Sequence, residues 1–161
     1  MSTEDRLEKA IALFRQAYHR QMEGDLEGAI EQYQQSIALQ PTAEAHTFLG
    51  WTYSFQGRLE EAIAECKKAI AVDPDFGNPY NDIGSYLIKL ERSDEAIPWL
   101  EAAIKSARYE PRHYPHCNLG QIYWAKGLLA RARQEFERAL ELAPDYQFAQ
   151  AALAAIGKQL N

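Results

Sequence analysis

The stretch Leu49-Gly50-Trp51-Thr52-Tyr53-Ser54-Phe55-Gln56-Gly57-Arg58-Leu59-Glu60-Glu61-Ala62 decides the fold. It places a small residue, Gly50, and a second small residue, Ala62, on either side of a turn at Gly57. Two helices pack closely only where side chains are small, so this spacing predicts a helical hairpin whose arms touch at Gly50 and Ala62. Gly57 supplies the left-handed backbone that a tight turn requires.

The same arrangement recurs along the chain. Ala17/Ala29, Gly50/Ala62, Gly84/Ala96 and Gly120/Ala132 are each separated by 12 positions, and successive pairs step by 33, 34 and 36. Gly24, Gly57 and Gly127 sit between the arms of three units, and Pro41, Pro74 and Pro144 close three second arms. The residue before a proline avoids the helical region, so Asp73-Pro74 and Ala143-Pro144 read as helix ends. Apolar residues at helical spacing, as in Ala62-Ile63-Cys66-Ala69-Ile70 and Ala132-Phe136-Ala139-Leu140, give the second helices a buried stripe.

A period near 34 with this pattern resembles the tetratricopeptide repeat, a helix-turn-helix unit that stacks into a solenoid. The resemblance spans about residues 10–144. It implies an all-α, right-handed superhelical solenoid of antiparallel helix pairs, filling 1–161 as a single domain. The units are expected at about 10–41, 43–74, 77–110 and 113–144, with an amphipathic capping helix over 146–160. In that cap Leu153, Ile156 and Leu160 are expected to pack on the fourth unit, while Gln147, Gln150 and Lys158 face water. Thr3 is the expected N-cap of the first helix.

The family's first helices line a concave face that commonly holds a segment of another protein. Carried over by position, this implies groove positions Phe14, Arg15, Tyr18 and Met22 in the first unit and Glu44, Thr47, Phe48, Trp51 and Phe55 in the second. The third contributes Asn78, Asn81, Asp82, Ser85 and Lys89, and the fourth Tyr114, Cys117, Asn118, Gln121 and Trp124. The proposed peptide-binding set is Phe48, Trp51, Phe55, Asn78, Asn81, Asp82, Tyr114, Asn118, Gln121 and Trp124. Aromatics of the first two units would anchor apolar side chains. Amides of the last two would pair with a bound backbone, since each offers donor and acceptor. The first unit departs from the family pattern, with Ala17 in place of Gly and Arg20 in place of an aromatic. In one subclass such a groove clamps the acidic tails of chaperones with lysines and arginines. Here the matching positions are Phe14, Tyr18, Phe48, Asn78 and Asp82, or Thr47, Trp51, Asp82, Tyr114 and Asn118. Neither register carries the cations, and Asp82 would repel a carboxylate.

Other chemistry is weakly supported. The formal charge of −6 and the scattered basic residues argue against nucleic acid. His113-x-x-His116-Cys117 has metal-like spacing, but Pro115 interrupts it and a fourth ligand is missing, so His116 and His46 read as packing between helices. Cys66 reads as core, and Cys117 as nearer the groove and partly exposed. The carboxylates of the second helices, among them Glu60, Glu61, Asp94, Glu95, Glu135, Glu137 and Glu141, fall at solvent-facing spacings. No catalytic constellation, phosphate loop, metal or cofactor site is expected. The start of the chain lacks the pattern of a signal peptide, no stretch would span a membrane, and a cytoplasmic location is the expectation. In the third unit Glu91 replaces the turn glycine. The next junction, from Ser106 to Cys117, is two residues longer than the usual step. It reads as an elongated helix end, with Arg108 and Arg112 as a subsidiary contact for an acidic partner loop. The leading expectation is a non-catalytic adaptor that binds a partner peptide or helix, with a self-associating scaffold as the alternative. The candidate surfaces for that alternative are the first unit and the Tyr146/Phe148 region.

Overall fold

The computed structural model describes residues 1–160, and among them the chain folds into nine α-helices. They are α1 (Thr3–Met22), α2 (Leu26–Leu39), α3 (Ala43–Phe55), α4 (Leu59–Val72), α5 (Asn78–Lys89), α6 (Ser93–Lys105), α7 (His113–Ala125), α8 (Leu129–Leu142) and α9 (Gln147–Leu160). Each helix packs on the next, most closely within α1/α2, α3/α4, α5/α6 and α7/α8. The odd-numbered helices also touch one another, α1 with α3, α3 with α5 and α5 with α7. This is an all-α solenoid, with the first helices of the pairs side by side along one face.

Local signals in the sequence set the helix ends. Ser2 rather than Thr3 caps α1, because Ser2 and Asp5 complete a reciprocal box. The Ser2 hydroxyl accepts from the Asp5 amide at 3.0 Å, and the Asp5 carboxylate accepts from the Ser2 amide at 3.1 Å. Thr42 caps α3 and Asp25 caps α2. Gly24, Gly57 and Gly127 occupy the left-handed region at the three regular turns, and Glu91 is forced into the same region at φ 60°.

The core runs unbroken through the stack, from Ala17, Ala29 and Tyr33 through Leu49, Cys66, Ile83 and Leu100 to Phe136 and Ile156. At Gly50 the close approach is to α4 itself: a Cβ there would lie 2.9 Å from the Ala62 carbonyl oxygen. At Gly120 the neighbour is instead the Phe136 ring, 2.7 Å from where a Cβ would stand, and at Gly84 it is Leu100. Small residues in the later pairs therefore make room for a large side chain one turn beyond the facing Ala.

Several expectations need correction. Cys117 is buried, and burial pushes its thiol up to about 12. Glu135 is drawn inward to His116, whose Nδ1 lies 2.7 Å from its carboxylate. Of the expected cap contacts Ile156 is buried and Leu153 packs against the core, but Leu160 is largely exposed, and Ala149 and Ala152 complete the buried face of α9. The long junction is not an elongated helix, since α6 stops at Lys105. Its backbone runs beside the segment before α5: the Arg108 amide donates to the Asp75 carbonyl at 3.0 Å and the Gly77 amide to the Arg108 carbonyl at 2.8 Å. Tyr109 is buried beneath it. Arg108 pairs with Glu44 and Asp73, and Arg112 donates to the carbonyls of Ile104 and Ser106. Both arginines are thus engaged within the chain.

Candidate peptide-binding groove

A groove of about 600 Å³ opens where α1, α3 and the start of α5 lie side by side. Its walls are Phe14 and Tyr18 of α1, Glu44, Thr47, Phe48 and Trp51 of α3, and Asn78 and Asp82 of α5, with Phe76 from the loop before α5. The helical spacing of Phe14/Tyr18 and Phe48/Trp51/Phe55 sets each group along one side of its helix.

The aromatics are held by one another. Phe48 stands edge-on to Phe14, Tyr18 and Trp51 at centroid distances of 5.2, 5.7 and 5.8 Å, and Trp51 meets Phe55 at 5.0 Å. Phe14 leans on the fully buried Tyr33, whose hydroxyl donates to Gln21 at 2.8 Å. Edge-to-face contacts of this kind fix ring orientation. Phe48 and Trp51 are half-buried, whereas Tyr18 is 42% and Phe55 56% exposed. The result is an ordered apolar surface that faces outward.

Asp82 is the one carboxylate at the α5 side of this groove, and it has no hydrogen bond or ion pair among the described residues. Burial pushes its carboxyl up to about 7, with Lys89 on the same helix pulling the other way. Glu44, by contrast, is tied to Arg108 at 3.2 Å.

The remaining residues of the expected site fall elsewhere. Asn81 is buried, and its side-chain oxygen accepts from the Asn118 amide at 2.9 Å, so these two amides satisfy each other in part. Gln121 is half-buried along the same face. Tyr114 packs against Tyr146 at 5.8 Å. Trp124 donates from its indole nitrogen to Gln159 of α9 at 3.1 Å and stands edge-on to Phe136. The C-terminal helix therefore occupies the Trp124 end, and the aromatic groove lies with the first three pairs. Phe76 was not anticipated. Its signal was available, because Pro74-Asp75-Phe76 is repeated as Pro144-Asp145-Tyr146.

No helix among the described residues is long and apolar enough to cross a membrane. Residues 75–145 and 43–76 each match a family model described as tetratricopeptide repeat. Among curated proteins the chain is 28% identical over 120 residues to the type IV pilus assembly protein PilF of Pseudomonas aeruginosa, covering 74% of this chain and 48% of that one. It is 33% identical over 100 residues to the human protein O-mannosyl-transferase TMTC2, covering 60% of this chain and 12% of the other. The chain thus spans about half the length of the first of these relatives and a small part of the second. Among solved structures, that of Pseudomonas aeruginosa PilF superposes with a TM-score of 0.90 at 24% identity, over 96% of this chain and 70% of that one. Helix pairs joined by left-handed turns, a continuous stacked core and repeat models matching from residue 43 to residue 145 agree: the chain belongs to the tetratricopeptide repeat family.

Proposed function

We propose that this chain is a non-catalytic scaffold that holds a helical or extended segment of a partner protein against Phe48, Trp51 and Phe55, in the course of assembling a larger complex. Family membership supports the general role of a protein-interaction scaffold. The observation that carries the finer reading is the outward-facing aromatic surface, whose rings are already ordered by mutual contact. Pre-ordered anchors lose little freedom on binding, so the burial they offer is not offset by ordering costs. The likeness to a pilus assembly protein supports the assembly part of the reading. The test is affinity capture from native lysate with wild type and a folded Trp51→Ala variant. Preys lost only with the variant support the groove, and identical preys on both overturn it.

A second reading is self-association. Leu7 and Ile11, one turn apart on α1, are 42% and 40% exposed, and Phe148 at the other end is 44% exposed. Apolar side chains at both ends of a stack suit end-to-end contact. Light scattering across concentration separates this from a monomeric adaptor.

A further inference from the structure

We infer that the segment bound in the aromatic groove presents a lysine or arginine beside aromatic or aliphatic residues, with the cation against Asp82 and the apolar side chains against Phe48 and Trp51. This rests on the groove reading above and goes further by naming the chemistry of the occupant.

Among the described residues twelve close contacts join basic and acidic side chains, three of them through histidines, and Asp82 belongs to none of them. Asp82 is half-buried, and a carboxylate partly withdrawn from water without a partner favours the protonated form. The cations near the groove make no ion pair with it, although Lys89 acts on it through space. Lys89 follows seven positions later on α5, about 10 Å along the helix axis, where its ammonium lies 6.0 Å from the Tyr86 ring. Arg108 is held by Glu44 and Asp73. Arg15 is exposed on α1 and makes no ion pair with Asp82.

Charge complementarity then selects the occupant. An anionic segment would be repelled by Asp82 and by a chain of net charge −6. A wholly apolar segment would cover Asp82 and leave it without solvent or partner. A cation supplies the missing counter-charge, and its alkyl stem can lie along the Phe48 and Trp51 rings on the way in. Arginine suits both demands, since its guanidinium stacks on rings and pairs with carboxylates.

The test uses a phage library of short random peptides, selected against wild type, Trp51→Ala and Asp82→Asn, each confirmed as folded by circular dichroism. Wild type is expected to enrich peptides with lysine or arginine next to aromatic or aliphatic residues. A lysine peptide from that pool, labelled for fluorescence anisotropy, is expected to bind Asp82→Asn about tenfold more weakly. Its norleucine counterpart is expected to bind both proteins alike. Enrichment of apolar peptides without a basic residue, bound equally by wild type and Asp82→Asn, overturns this inference and leaves the groove reading intact. Absence of any peptide sensitive to Trp51→Ala removes the groove reading, and this inference with it. Dimerisation abolished by Trp51→Ala makes a second copy the occupant and overturns it too.

Discussion

Asn118 donates a hydrogen bond from its amide to the amide oxygen of Asn81 at 2.9 Å, tying α7 to α5 across the inner face of the solenoid. Asn81 is buried, so Asn118→Ala leaves an acceptor without its donor. The expected cost is about 1–2 kcal/mol. Urea unfolding should show it as a lowered midpoint with unchanged slope.

His46 and Glu65 form a second buried pair at 2.7 Å, and Lys68 adds a bond to the same carboxylate at 2.8 Å. Burial works to raise the Glu65 carboxyl, but the bonds from His46 and Lys68 outweigh it and hold the group below its ordinary value. A carboxyl lowered in the folded state adds stability above its unfolded value of 4.5, and that stability is lost as pH falls through the lowered folded value. His46→Ala should therefore destabilise by about 1–3 kcal/mol at neutral pH. The difference should shrink in acid, as thermal melts at two pH values would show.

Asp82 gives the opposite sign. Its carboxyl is raised from 3.8 to about 7, so the folded protein holds an extra proton between those values and loses stability as pH rises through them. The groups around it are Glu44 on α3, Cys66 on α4, Tyr86 and Lys89 on α5 and Tyr109 in the junction. Asp82→Asn removes the ionisation. The variant should be more stable than wild type above pH 7, by about 2 kcal/mol or more, and not near pH 4. A wild-type advantage at pH 8 would count against the assignment.

Two backbone substitutions should move stability in opposite directions. Gly120→Ala drives a methyl into the buried Phe136 ring, where the gap is 2.7 Å, and should cost about 1–3 kcal/mol. Glu91→Gly relieves a left-handed residue at φ 60° and should gain up to about 1 kcal/mol. Calorimetric melting of the two variants beside wild type checks both.

Much of this architecture was legible because it depends on spacing. The 12-position gaps between small residues and the turn glycines announce the hairpins, and Trp51 and Phe48 fall on the inner face by register alone. What escaped depends on contacts between distant segments. One packing position is filled by His46 with Glu65, by Tyr80 with Trp99 at 6.2 Å, and by His116 with Glu135, so the same site hosts histidine–carboxylate contacts or a pair of tilted rings. No local pattern distinguishes those outcomes. The inward turn of Glu135 follows from His116, not from the α8 periodicity. Phe76 joins the groove from a loop, where periodicity says nothing. Trp124 donates to Gln159 of α9, a partner that lies beyond the repeats and that no repeat spacing announces.

The junction after α6 has a kinetic consequence. In an array whose units touch only their neighbours, terminal units can open without disturbing the rest. Here Arg108 reaches back to Asp73 and Glu44, and its backbone pairs with residues on either side of Phe76. Opening the junction together with α7 and α8 therefore breaks bonds anchored on α3 and at the end of α4. Amide hydrogen exchange should report the middle and late pairs as one cooperative block, with α1 and α2 opening separately and sooner.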